Sequence, residues 1–384
     1  MKKFKFNVCI VGGAGHVGFP IGLMFASKNL KVCLLDNNVA QLKRISRGII
    51  PFKEKKGKEF LKKYKRNIFL TSDPKYIKDS KNIIICIGTP VKDNLKPELK
   101  TFFKFFTSIK KYLNSEHEII VRSSVYIGSI EKIKKILDIN KIVYCPERIV
   151  QGLSLEELPK LPQIVSGFNK RSITNASQLF KTICKKIIIT TIQEAELIKL
   201  YSNAYRYINF SISNQFYEMC TSVGVSFSKV RKYMREGYER SASIPTAGFA
   251  AGPCLLKDTM QLHNFFNNKF TLGLSAMHIN EGLPYFLFNE IKKKFDLKKI
   301  KIGVLGLAFK AETDDVRDSL SIKMIKLLEK NKVKFLQSDE YFKHDNNVSS
   351  EKLVKDSDVI IIGVMHKKYK KIKFPKNKKI INVW

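Results

Sequence analysis

The chain has 384 residues, of which 44% are hydrophobic and 11% aromatic. That is enough apolar matter for two or three packed domains, and it excludes a disordered polymer. The net charge of +36 favours anionic partners of any kind, nucleic acid, acidic lipid or diphosphate-bearing small molecules, but the lysines are spread along the whole chain without zinc-finger spacing or an aromatic RNA-binding signature, so a solvated lysine surface and no nucleic-acid partner are expected.

At the N-terminus, Lys2, Lys3 and Lys5 precede an apolar stretch that ends near Phe25-Ala26-Ser27, the outline of a secretory signal. Five glycines and His16 break that stretch, and it merges into a cofactor motif. Strand Phe6–Val11 runs into Gly12-Gly13-Ala14-Gly15-His16-Val17-Gly18, and a helical pattern follows from Ile21. In this G-x-G-x-x-G element, Gly13 permits the tight turn, Gly15 the approach of a pyrophosphate, and Gly18 close helix–strand packing. The helix N-terminus then faces the diphosphate. A second strand, Lys31–Asp36, ends in a carboxylate that can accept from ribose hydroxyls and would repel a 2′-phosphate, so NAD is expected over NADP.

Three further apolar runs, Asn82–Ile87, Glu118–Ser123 and Lys141–Cys145, read as buried strands, with amphipathic stretches such as Phe60–Tyr64 and Ile130–Leu137 between them. This alternation predicts a mostly parallel sheet with helices on both faces. The strand ends carry Gly88-Thr89-Pro90 and Arg122-Ser123-Ser124, and carboxyl ends face the ligand crevice in such sheets. Thr89 and Ser124 are therefore candidates for the nicotinamide half, or ordinary turn residues. Tyr144-Cys145-Pro146-Glu147-Arg148 puts a carboxylate at the crevice edge, suited to holding a water or a lysine, with surface ion pairing as the alternative.

From Glu194 to Cys220 one long helix is expected. It carries Lys199 and Asn203 four residues apart, either an oxyanion-stabilising pair or a solvated polar stripe. Gly252-Pro253-Cys254-Leu255-Leu256-Lys257-Asp258 then reads as a helix start with Cys254 in the first turn. There the positive end of the helix dipole favours thiolate, and Lys257 and Asp258 follow on the same face. The other six cysteines stand singly, without Cys-x-x-Cys spacing, which argues against disulfides and zinc and fits a reducing cytoplasm. No run of about 18 apolar residues suggests a membrane span. At Lys301 a strand pattern returns, and a helix (Ser319–Lys330) and strands near Val333–Leu336, Asp358–Val364 and Lys379–Val383 make a second, smaller open sheet. After its first strand, Lys310 and Arg317 can bind phosphate or carboxylate oxygens, or pair on the surface.

Taken together and in this order, the motifs Gly12–Gly18, Gly88-Thr89-Pro90, Arg122-Ser123-Ser124-Val125, Cys145–Arg148, Ala195–Lys199 with Asn203, Phe249–Asp258 and Phe309-Lys310 through Asp318 resemble the UDP-glucose/GDP-mannose dehydrogenase family. The resemblance implies two Rossmann-like domains (1–190 and 296–384) joined by a helical segment (191–295), whose long helix commonly forms a homodimer interface. It also implies oxidation of a UDP-sugar C6 alcohol to the uronate with two NAD per turnover, by way of a Cys254 thiohemiacetal and thioester. Thiolate is nucleophilic enough to trap an aldehyde, and a thioester is labile enough to hydrolyse.

By the family pattern Lys199 and Asn203 stabilise oxyanions, and Asp258 and Glu147 position or activate water. Gly13, Gly15, His16, Val17, Gly18, Asp36, Thr89, Ser124 and Lys257 line the NAD site, which Arg317 approaches from the third domain. Ser124 also counts among the catalytic residues, while Glu147, Arg148, Lys199, Asn203, Gly252 and Lys310 contact the nucleotide-sugar. Three departures stand out. Ser124 replaces the usual threonine, Gln151 replaces a second glutamate of UDP-glucose enzymes, and Ala250-Ala251-Gly252-Pro253 replaces a double glycine followed by a polar residue. The last, with Cys-Pro-Glu-Arg, is closer to the UDP-N-acetylhexosamine branch. A single-step 3-hydroxyacid dehydrogenase and a basic nucleic-acid-binding protein that keeps the fold are the alternative readings.

Overall fold

A computed structural model of the chain describes residues 4–89 and 98–384. Pro90, of the Gly88-Thr89-Pro90 motif, and Lys2 and Lys3 lie outside the described residues. The chain forms two compact units, Met1–Tyr201 and Ser202–Trp384.

In the first unit the strands are β1 (Phe6–Val11), β2 (Val32–Leu35), β3 (Ile68–Thr71), β4 (Ser80–Ile85), β5 (Glu118–Val121), β6 (Ile142–Tyr144), β7 (Gln163–Gly167) and β8 (Ile187–Ile189). They form one sheet in the order β3-β2-β1-β4-β5-β6-β7-β8. Every pairing is parallel except β6 with β7. The chain leaves β1 toward one edge through β2 and β3 and returns to β4 on the other side. The β1/β4 boundary is therefore the switch point at which open sheets of this kind bind ligands.

Side chains alternate between the two faces of the sheet. Val8 and Ile10 join one core with Phe19, Phe25 and Phe180, and Cys9 and Val11 join the other with Phe106, Ile130 and Tyr144. The helix Gly18–Ser27 is buried from Gly18 to Ala26. Its Pro20 is tolerated because a first-turn residue has no intrahelical partner for its N–H.

The helix expected from Glu194 spans Ile192–Ser222. In the second unit, Phe227–Arg235, Leu255–Phe265 and Thr271–Lys294 are helices. They are followed by β9 (Lys301–Leu305), β10 (Lys334–Ser338), β11 (Val359–Ile362) and β12 (Lys379–Asn382), all parallel in the order β10-β9-β11-β12. Val304 and Ile361 face a core shared with Leu283, Leu287 and Met324, while Leu305 and Ile360 face Leu353 and Tyr369.

Asp339, just past β10, occupies the place that Asp36 holds just past β2. Asp36 accepts the Ala14 N–H at 2.9 Å, and Asp339 accepts those of Leu307 and Ala308 at 2.6 and 3.1 Å. His366, wholly buried, lies with Nε2 at 3.2 Å from the same oxygen. Burial alone would raise the Asp339 carboxyl, but the His366 hydrogen bond and the N–H groups of Phe342 and Leu307 outweigh it and hold it at about 2.

Candidate active site

The glycine-rich turn at the end of β1 is built by close approach. A Cβ on Gly18 would lie 2.2 Å from the Gly12 carbonyl oxygen, so the helix can begin here only without a side chain. A Cβ on Gly13 would meet the Ile10 carbonyl and Leu34 at 2.9 Å, whereas Gly15 has no neighbour nearer than 3.4 Å and presents an open side. Val17 precedes the helix and provides no side-chain cap, and the first turn contains no acid. The Phe19 N–H donates to the Gly15 carbonyl at 3.0 Å and Pro20 has none, so what the helix offers an anion is chiefly the positive end of its dipole. Asp36 is fastened to the turn through Ala14, and its other oxygen accepts the Asn38 N–H at 2.9 Å. A carboxylate offers about four lone-pair sites, so capacity remains for ribose hydroxyls.

His16 lies against Phe52 with ring centroids 4.0 Å apart and planes tilted by 37°, and its Nε2 lies 3.4 Å from the Gln151 amide nitrogen. The departure at position 151 thus touches the cofactor turn itself. Across the switch point, the Ser123 hydroxyl donates to the Ile87 carbonyl at 2.7 Å and lies 3.3 Å from that of Ile85. It ties the ends of β4 and β5 together, beside half-buried Thr89 and Ser124.

Sequence reasoning placed Glu147 at a crevice edge and Arg148 at the nucleotide-sugar, but assigned Arg122 and Gln163 no part. In the structure Glu147 is buried, one oxygen ion-paired with Arg122 and the other accepting the N–H groups of Arg148 and Ile149 at 2.7 and 2.8 Å. Arg122, 1% exposed, also donates to Gln163 at 2.8 Å and lies over the Phe180 ring at 5.2 Å. The guanidinium of Arg148 donates to the Pro162 carbonyl at 2.6 Å. Glu54 is a second buried carboxylate, its oxygen accepting the Leu155 N–H at 3.0 Å, and burial raises its carboxyl above the usual value. Glu196, in the Ala195–Lys199 motif, accepts from the N–H groups of Gly128 and Ile130 at 2.8 and 3.1 Å. It thereby caps the helix Ser129–Leu137. Glu54 and Glu196 are satisfied by backbone N–H groups 101 and 66–68 residues away, and a sequence does not show which groups lie opposite.

In the second unit Cys254 is exposed and is the residue from which helix Leu255–Phe265 starts. Its carbonyl accepts the Asp258 N–H at 2.9 Å. Asp258 is wholly buried. One of its oxygens accepts from the Asn203 amide at 2.6 Å, and the other is paired with Lys257 Nζ at 2.7 Å. Arg317 grips Asp315 through Nε and Nη2 at 3.0 and 2.6 Å. The hydrogen bond to Asp315 chiefly, and the neighbouring charge of Cys254 to a lesser extent, raise the Arg317 guanidinium above its ordinary value against the opposing effect of burial. Gly252 has φ +109°, and a Cβ there would lie 2.4 Å from the Phe309 ring. Lys310 follows that ring, half-buried. Lys199, one turn before Asn203 on the same helix, is 8% exposed, so neither residue belongs to a solvated stripe.

Among the described residues no group of three or more His, Cys, Asp or Glu is arranged to hold a metal ion, and no helix is long and apolar enough to cross a membrane.

Residues 6–187 match the NAD binding domain of the UDP-glucose/GDP-mannose dehydrogenase family, 193–282 its central domain and 303–383 its UDP binding domain. A UDP-N-acetyl-D-mannosamine dehydrogenase of Methanococcus vannielii is 29% identical over 387 residues, 97% of this chain and 88% of the relative. That of Pyrococcus horikoshii is 27% identical over 379 residues, 94% and 90% of the two chains. The solved structure of a UDP-D-ManNAc dehydrogenase from Pyrococcus horikoshii superposes with a TM-score of 0.89 at 26% identity, covering 98% of this chain and 94% of that one.

Proposed function

The chain belongs to the UDP-glucose/GDP-mannose dehydrogenase family, and from that premise we propose that it oxidises the C6 alcohol of a UDP-sugar to the uronate with Cys254 as covalent nucleophile. Bound NAD supplies the hydride acceptor for each of two oxidations. The single observation that carries the reading is the helix start at Cys254, where an exposed thiol precedes a buried Asp258 held by Asn203 and Lys257.

After the alcohol has become an aldehyde, Cys254 Sγ attacks C6. A C–S bond forms and the carbonyl oxygen takes the negative charge, which the donors of Lys199 and Asn203 offset. Loss of hydride from C6 leaves a thioester. Water, positioned or activated by Asp258 and Glu147, adds to that carbonyl, the C–S bond breaks, and the thiolate leaves. Alcohol, water and two NAD become uronate, two NADH and three protons.

The glycine turn with His16 and Val17, together with Asp36, Thr89, Ser124, Lys257 and Arg317, is assigned to NAD. Glu147, Arg148, Lys199, Asn203, Gly252 and Lys310 are assigned to the nucleotide-sugar. Functionally we divide the chain at 1–190, 191–295 and 296–384. The 26–29% identity to UDP-N-acetyl-D-mannosamine dehydrogenases and the loop Ala250-Ala251-Gly252-Pro253 favour a UDP-N-acetylhexosamine as substrate.

We place the protein in the cytoplasm, where a thiol nucleophile stays reduced, and infer a homodimer through the long helix. Tyr201, Tyr205, Ile212, Phe216 and Met219 are each at least 36% exposed, and at 3.6 residues per turn they occupy about one sixth of the helix circumference. Nucleic acid and membrane have no part in this reading. Two NADH per UDP-sugar consumed, with the uronate identified by mass spectrometry across a UDP-sugar and GDP-mannose panel, is the expected result. One NADH per substrate would replace it with a single-step hydroxyacid-type oxidation.

A further inference from the structure

The segment that delivers Cys254 to its helix is packed against two aromatic rings, each seated where a glycine has no side chain. Ala247, Phe249 and Ala251 point into the core of the second unit. Between them, a Cβ on Gly248 would lie 2.5 Å from the Trp384 ring, and one on Gly252 would lie 2.4 Å from Phe309. Phe309 was part of a motif read from the sequence, but Trp384 was not. Its indole N–H donates to the Gly363 carbonyl at 2.8 Å, so the ring is pinned just past β11. Gly248 is also held through its own N–H, which donates to Asn214 at 2.8 Å. Asn214 in turn donates to Asn280 at 2.8 Å, and both asparagines are wholly buried. The loop is thus fixed between a buried amide pair and an indole with one orientation.

We propose that Trp384 is a positioning residue for Cys254: pinned to Gly363 and seated on Gly248, it sets the path of residues 248–254 and thereby the place of the thiol at the start of its helix. The proposal rests on Cys254 being the nucleophile. A ring of this size against a glycine Cα leaves no room for the loop to shift toward the indole, and the hydrogen bond to Asn214 tethers its backbone. With the indole removed, the loop gains a cavity to relax into, and displacement of a reacting group by about 1 Å costs on the order of a hundredfold in rate.

The test uses the full-length enzyme with Trp384→Ala and Trp384→Phe. Turnover of the UDP-sugar is followed by NADH formation, and alkylation of Cys254 by iodoacetamide by peptide mass spectrometry. In Trp384→Ala we expect kcat to fall by about ten- to a hundredfold, Cys254 alkylation to slow, and KM for NAD to stay within a factor of about two. Trp384→Phe, which keeps a ring against Gly248, should recover most of both rates. A residue that only added stability would lower the melting temperature and leave the alkylation of folded protein unchanged.

Should Trp384→Ala not fold, Gly248→Ala loads the same contact from the loop side. Because Trp384 is the sole tryptophan, its emission reports directly whether the ring has been pushed toward water. Wild-type alkylation and turnover in folded Trp384→Ala, or unchanged emission and alkylation in Gly248→Ala, would overturn the proposal. Alkylation that depends on Trp384 in an enzyme that oxidises no UDP-sugar would sink the functional reading and leave the positioning role standing.

Discussion

The Asn203 amide donates to Asp258 at 2.6 Å in a place where Asp258 has no exposure to water, and Lys257 Nζ closes on the other carboxylate oxygen at 2.7 Å. A residue from the long helix and one from the first turns of the Cys254 helix are therefore locked through a buried charge. Replacing Asp258 by asparagine turns an amide toward Asn203 and strips Lys257 of its counter-ion. We expect a loss of roughly 3 kcal/mol, the scale for breaking a buried pair from one side, measured by urea titration, with uronate formation at background.

Cys254→Ser keeps the helix start and removes the soft nucleophile. Uronate formation should fall by at least about a thousandfold, the scale on which removal of a covalent nucleophile registers. NAD affinity, measured by calorimetry, should not change. Full turnover in this variant would refute the nucleophile assignment.

Asp36 joins the glycine-rich turn to the end of β2 through the Ala14 N–H. Asp36→Ala removes an acceptor for that amide as well as for ribose hydroxyls. Charge-assisted hydrogen bonds of about 1.5–3 kcal/mol translate to KM for NAD rising by about ten- to a hundredfold, read from initial rates of NADH formation. Asp36→Asn, without the charge, should narrow the preference for NAD over NADP.

The buried Arg122–Glu147 pair gives a stability prediction. Arg122→Met leaves the carboxylate buried without its cation and should cost roughly 3–5 kcal/mol. Adding Glu147→Gln to that variant should recover part of the loss. A double variant no more stable than Arg122→Met, measured by thermal melting, would show that the two side chains do not act as a pair.

Asp339 ties pH to stability. Its carboxyl is held at about 2 in the folded state, below the value of 3.8 for a free aspartate. A depressed folded-state value means that its contribution is complete above about pH 4 and is lost as pH falls toward 2. Asp339→Asn should therefore be less stable than wild type by about 2 kcal/mol at pH 7, with the gap closing below pH 4. A pH-independent gap in chemical denaturation would reject the assignment.

Where residues act on sequence neighbours, the chain itself was enough. The strand–glycine–helix beginning, Asp36, the long helix and the helix start at Cys254 rest on periodicity and local turn chemistry, and they stand in the fold within a few residues of their expected bounds. The mostly parallel sheet was legible for the same reason. What was not legible depends on partners far along the chain. Arg122 meets Gln163, 41 residues away, and Glu54 meets Leu155, 101 residues away. β3, β7 and β8 also escaped the reading: they stand at the two ends of the sheet order, where strands are less continuously buried and carry less of the apolar run that marks the central ones. Trp384 could have been noticed only as a lone indole, with nothing local to say that Gly248 receives it.

Gly252 is held to glycine twice over. While the phenyl ring of Phe309 sits where a Cβ would go, every substitution at 252 collides, and a smaller residue at 309 would still leave the new side chain a backbone at φ +109°. Libraries that randomise the loop should therefore return glycine at this site, whatever stands at 309. Sequence drift can pass around this position but not through it, which makes it a fixed point in the history of the loop.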